Sequence, residues 1–174
     1  MRAALAMATA IALLAAAAPA GPGAADAAAI RAWLTRVYGS YHECVMRPAA
    51  RNPIGQCAEP IAWLSVFTPD TQRLIRRDSP EGEATAANGA DPICSCQDYG
   101  TFQVTAIRLA GLAGGRVQAR VSWNETFRSA PAARHDRTLI LQKTAAGWRV
   151  HDVQEGSGTY RQAIIDELRA AHRP

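Results

Sequence analysis

The chain lacks the short motifs that announce a cofactor or a covalent mechanism. No Gly-x-Ser-x-Gly elbow, phosphate-binding loop or dinucleotide fingerprint occurs in its 174 residues. The strand-turn-helix devices that expose a nucleophilic serine or cradle a phosphate are therefore not expected. His42-Glu43-Cys44-Val45-Met46 lacks the second histidine of a zinc-protease helix. A four-thiolate zinc site wants close CxxC pairs, and only Cys94-x-Cys96 comes near. No cofactor and no metal centre is expected. Lysine is almost missing: Lys143 stands alone among 19 basic residues, and the arginines are scattered rather than blocked. That argues against a nucleic-acid partner. The formal charge of +4 leaves contact with anionic lipid or envelope polymers open.

Long apolar runs are scarce too, and the one present is at the start. Met1-Arg2 leads into residues 3–18, an apolar stretch broken only by Thr9. It ends at Ala18-Pro19-Ala20, with Gly23-Ala24-Ala25 as a second small-residue exit. This is the pattern of a secretory signal peptide over residues 1–25, too short and too alanine-rich for a membrane span. No cysteine lies near either exit, so no lipid anchor is expected. Residues 26–174 are expected to be one soluble domain, periplasmic or secreted, with no membrane insertion after leader cleavage. In such a compartment Cys44, Cys57, Cys94 and Cys96 are expected to oxidise. Of three connectivities, Cys44–Cys57 is preferred because it closes a loop of modest length, which leaves Cys94–Cys96.

Periodicity divides the mature chain in two. With Asp26 as N-cap, Ile30, Trp33, Leu34, Val37, Tyr38, Tyr41, Cys44 and Val45 recur at helical spacing, predicting a long first helix over residues 26–46. Thr68 followed by Pro69 predicts a second, short helix to residue 77. From residue 102 the period becomes two, predicting strands over 102–109, 116–128, 137–143 and 148–153 with short turns between them. Sequential strands so connected make an antiparallel meander. In the second strand Val117, Ala119, Val121, Trp123, Glu125 and Phe127 share the apolar face. A last helix is expected behind Thr159, with Gln162 reaching back in a capping box. The fold class is α+β: a long N-terminal helix packed on a curved antiparallel sheet.

Asp91-Pro92-Ile93-Cys94-Ser95-Cys96-Gln97-Asp98 and Gly147-Trp148-Arg149-Val150-His151-Asp152-Val153 resemble a known family. The likeness is to the small exported bacterial proteins grouped as domain of unknown function 3828. It extends to Tyr38 and Tyr41, Phe67-Thr68-Pro69 and the segment from Tyr160. The resemblance implies a cone-shaped fold similar to nuclear transport factor 2, and no particular activity.

Candidate residues follow from burial chemistry. Glu125 sits on the apolar parity of its strand, and Asp152 shares parity with Trp148 and Val150, so both acids are expected to point into the cone. A carboxylate there would be desolvated and raised in pKa unless paired, which suits a general base. The expected partner of Glu125 is an arginine, a tyrosine hydroxyl or Asp152. Asp91 and Asp98 are possible paired carboxylates, and Tyr38, Tyr41, Trp123 and Trp148 possible cavity-lining residues. The leading expectation is a non-catalytic binding module for a small ligand or an envelope protein. The rivals are a small pocket enzyme with Glu125 or Asp152 as base, isomerase- or hydrolase-like, and an immunity or inhibitor protein working through residues 47–56 or 79–90.

Overall fold

The computed structural model describes residues 20–41, 61–79, 90–96, 99–127 and 130–171. Among these, helix α1 (Ala24–Gly39), a single 3₁₀ turn (Trp63–Val66) and helix α2 (Pro69–Asp78) precede the sheet. Strands β1 (Thr101–Gly111), β2 (Val117–Thr126), β3 (Ala133–Thr144), β4 (Gly147–Glu155) and the short β5 (Gly158–Thr159) follow, and helix α3 (Tyr160–Ala171) closes the series. The sheet runs β1-β2-β3-β4-β5 in sequence order with every pairing antiparallel, the meander that the period-two segments predict. The two-residue β5 is too short to leave a periodic signal.

Helix α1 departs from the sequence expectation at both ends. It starts behind Gly23 rather than Asp26, because the Asp26 carboxylate accepts from Lys143 Nζ at 2.8 Å instead of capping its own helix. It stops at Gly39 rather than residue 46: the Ser40 hydroxyl donates to the Val37 carbonyl at 2.7 Å and closes the last turn. Tyr41 is therefore buried from beyond the helix end, and Cys44 and Val45 lie outside the described residues. Ile30, Leu34, Val37 and Tyr38 form the buried stripe. Helix α2 begins as its sequence predicts, with Thr68 Oγ1 accepting from the Thr71 N–H and Pro69 in the first turn. In α3, Thr159 Oγ1 accepts from the Gln162 N–H, but the Gln162 side chain donates forward to Asp166, so only half of the capping box forms.

Two irregularities set which side chains reach the core. In β1 an extra residue at Thr105 shifts the register, so Phe102 and Val104 face inward before it, and Ile107 and Leu109 after it. In β4 the extra residue is His151: Leu141 pairs with Val150, but Ile140 pairs with Asp152. A bulge inverts the alternation beyond it. Trp148, Val150 and Val153 are consequently buried, while Asp152 is turned away from the core.

The outer edge of β4 is covered at one end by β5 and at the other by Phe67, which bridges Val150 while the Thr68 N–H donates to the Val150 carbonyl at 2.8 Å. The far edge of β1 is met by Tyr41, whose carbonyl accepts from the Phe102 N–H at 3.0 Å. Gly100 permits the entry into β1: a Cβ there would stand 2.2 Å from the Thr126 carbonyl oxygen.

Candidate functional site

The buried face of the sheet is packed with rings. Trp123 lies 4.9 Å from the Tyr38 ring and 5.5 Å from Phe102, and Tyr41 stacks on Phe102 at 4.9 Å. Tyr38, Tyr41 and Trp123 are each at most 1 % exposed. Trp148 is buried at the other end of the sheet, where its indole N–H points to Asp26 at 3.4 Å. These four aromatic candidates fill the interior. The Trp123 indole N–H is buried without a hydrogen-bond partner among the described residues.

The segment Asp91–Cys96 closes one end of this interior. Its two ends pair with each other, the Asp91 N–H donating to the Cys96 carbonyl at 2.9 Å. A disulfide joins Cys94 to Cys96 across Ser95, which takes a left-handed φ of 58°. The Cys44–Cys57 pairing lies outside the described residues, as do Asp98 and residues 42–60 and 80–89. Ile93 is fully buried, and its carbonyl accepts from the Tyr38 hydroxyl at 2.8 Å. Asp91 accepts from the Ile93 N–H at 2.8 Å and from the Tyr41 hydroxyl in a short hydrogen bond. Burial pushes the Asp91 carboxyl above its ordinary range, against the opposing pull of the Tyr41 hydroxyl, the Ile93 N–H and Arg137. Burial likewise raises both tyrosines, and at Tyr41 the Asp91 charge adds to it.

Strand β3 contributes polar residues to the same end. Register with Trp123 and Val121 places His135 and Arg137 on the inward face. Arg137 donates from Nε to the Pro92 carbonyl at 3.1 Å and pairs through its terminal nitrogen with Glu155. These residues were not among the sequence candidates. The predicted third strand begins at residue 137, so its alternation already groups Arg137 with Leu139 and Leu141, and extending it back by two residues adds His135.

Glu125 is largely sheltered, with 18 % of its side chain exposed, and it is held by other groups than expected. Oε1 accepts from the Gly100 N–H at 2.7 Å, and Oε2 lies 3.0 Å from His135 Nε2. The latter is a close contact rather than an aligned hydrogen bond. Among the described residues no arginine, tyrosine or Asp152 meets it. Phe127, at the same parity, is 38 % exposed, because the strand emerges from the core at this end.

Asp152 does different work. Its Oδ1 accepts from the Val153 and Arg161 backbone N–H groups at 2.8 and 3.0 Å, which caps the first turn of α3. Glu125 and Asp152 oppose Ala133 and Ile140 on β3, seven positions apart, or roughly 23 Å along the strand. The inverted parity of β4 and this spacing correct the expectation that the two acids share a site.

The grooves of the described surface include the following two. One, of about 360 Å³, lies on the outer face of the sheet against Arg108, Gln118, Arg120 and Thr138, where Arg120 is already paired with Asp136 at 2.8 Å. The other, of about 410 Å³, lies at the β3–β4 turn, between that turn, the 3₁₀ turn and α2. Leu64 and Pro69 supply its apolar floor above the fully buried Phe67, and Arg76 and Arg149 its charge. Gly147 takes a φ of 95° in the turn, a conformation that favours glycine, and its carbonyl accepts from the Thr144 hydroxyl at 2.8 Å. This rim is thus shaped by backbone geometry before any ligand arrives.

Neither a family model, nor a curated protein, nor a solved structure matches this chain.

Proposed function

We propose that this chain is an exported, non-catalytic binding domain on a cone similar to nuclear transport factor 2, and that it recognises its ligand at the β3–β4 groove. One observation carries the reading: the concave interior is filled by Tyr38, Tyr41, Phe102 and Trp123, each at most 5 % exposed, so it holds its own side chains. The carboxylates expected to act as bases are occupied by backbone N–H groups. A groove of about 410 Å³ falls in the roughly 300–1,000 Å³ range of small-ligand sites and mixes apolar and charged lining. The leader-like residues 1–25 support export, and the family resemblance supports the cone.

Amide shift mapping by NMR on protein carrying its co-purified ligand, identified by native mass spectrometry, tests the proposal. Shifts at Leu64, Phe67 and Arg149 are expected. Shifts confined to Tyr38, Trp123 and their neighbours would place recognition inside the cone and contradict it.

A small pocket enzyme is the second reading, and the Glu125–His135 contact favours it. A carboxylate beside an imidazole is an arrangement that orients a base. The His135 side chain is 39 % exposed and its ring stacks on Trp123 at 5.5 Å. Turnover of any ligand found, abolished by Glu125→Gln without loss of fold, would establish that reading in place of the first.

A further inference from the structure

The chemistry of the groove lining narrows its ligand, on the reading that recognition occurs there. The neutral polar groups of the lining are already used by the fold. Gln72 Nε2 donates to the Phe67 carbonyl at 2.9 Å and the Ser65 hydroxyl to the Ala62 carbonyl at 2.7 Å. Thr144 Oγ1 donates to the Gly147 carbonyl and accepts from the Ala146 N–H at 3.2 Å. A sugar or another neutral polar ligand would find only the capacity left over from these bonds, such as the Gln72 carbonyl oxygen.

The two guanidinium groups are different because both stand over one apolar groove. Elsewhere Arg73 meets Asp70, Arg120 meets Asp136, Arg137 meets Glu155 and Arg169 meets Asp166, whereas arginines such as Arg31 and Arg108 likewise meet no carboxylate among the described residues. Arg76 and Arg149 have no carboxylate partner among the described residues. Arg149 spends one terminal nitrogen on the Trp148 carbonyl at 2.8 Å, which positions its fork and leaves its other donors free. Two such groups over an apolar floor complement a negative charge attached to a hydrocarbon.

We infer that the groove binds a free anionic amphiphile, with a carboxylate or phosphate monoester held by Arg76 and Arg149 and an apolar chain lying on Leu64 and Pro69. At about 30 Å³ for each water-sized group, the volume of about 410 Å³ holds a chain of about ten carbons with its head. The same head chemistry occurs on lipids in a bilayer, and the experiment separates that source from the free molecule.

The test is a titration of the ¹⁵N-labelled protein with decanoate, decyl phosphate and decyltrimethylammonium below their micellar concentrations, together with co-sedimentation on phosphatidylglycerol vesicles. Both anions should shift the amides of Leu64, Phe67 and Ala146, and the cation should leave them unmoved. Arg76→Ala and Arg149→Ala should each weaken anion binding about tenfold or more, the loss typical of a charge-assisted hydrogen bond. Equal shifts with anion and cation would overturn the ligand class while leaving the groove as the site. Vesicle binding without response to the monomeric anions would overturn it in favour of a membrane surface. Shifts confined to the cone interior, or none with any probe, would overturn both the ligand class and the groove as its site.

Discussion

Arg137 and Arg149 lie on neighbouring strands of one sheet, near opposite ends, and the fold treats them in opposite ways. Arg137 is led to the buried face of the sheet by the parity of β3, where the Pro92 carbonyl and Glu155 take its donors. Arg149 stands on a groove lined by backbone-satisfied neighbours and leans on the carbonyl of the residue before it. The closed end spends its polar chemistry on itself: Asp91 takes Tyr41, Ile93 takes Tyr38, and Glu125 takes the Gly100 N–H. The groove end keeps charge in reserve. Residue type does not separate structural from recognition arginines here; the partner that topology supplies does. A buried charge must be matched to persist, whereas an exposed one can wait for a ligand.

The largest effects should come from breaking the closed end. Trp123→Ala removes the ring that meets Tyr38, Phe102 and His135, and should cost about 3–5 kcal/mol in urea unfolding. A loss below about 1 kcal/mol would mean that the interior is not the tightly packed core described. Tyr41→Phe comes next. It takes a donor from the buried Asp91 carboxylate and should cost about 1–3 kcal/mol at neutral pH.

Acidity sharpens the comparison further. Burial holds Asp91 above the ordinary aspartate value of 3.8, so over that window the folded protein retains a proton that the unfolded chain has released. The associated stability is complete below the ordinary value and is lost as pH rises through the raised folded one. Asp91→Asn has no such group to titrate. Urea unfolding at a series of acid pH values should therefore show wild type gaining on the variant as pH falls. A parallel pair of curves would remove Asp91 from the account. At the small end of the scale, Arg149→Ala should change stability by about 0.5 kcal/mol or less, as for other surface side chains without a carboxylate partner. A larger loss by thermal melting would make Arg149 structural, like Arg137.

The parts of the fold that depend on local pattern were legible in the sequence. The alternation in Val117, Ala119, Val121 and Trp123 and the Thr68-Pro69 helix start both reappear in space. What could not be read is non-local. The end of α1 at Gly39 depends on a Ser40 cap, in a segment whose apolar spacing continues to Val45. Asp152 was misplaced because one bulge at His151 reverses parity, and a bulge carries no periodic signature. The surroundings of Glu125 were half legible: its shelter follows from parity, but its Gly100 partner comes from the close approach of β1 to Thr126. The groove was not legible at all. It is assembled from two segments far apart in sequence, residues 62–76 and 144–149, and arginine is common along this chain.

A thermal-shift experiment on wild type, Tyr41→Phe and the Arg76→Ala/Arg149→Ala double variant, each with and without decanoate, tests the division between the two ends most directly. The account predicts that Tyr41→Phe melts lower than wild type yet keeps the upward shift on adding decanoate. The double arginine variant should melt close to wild type and lose that shift. A ligand shift that survives removal of both arginines but disappears in folded Tyr41→Phe would put recognition at the closed end and contradict the account.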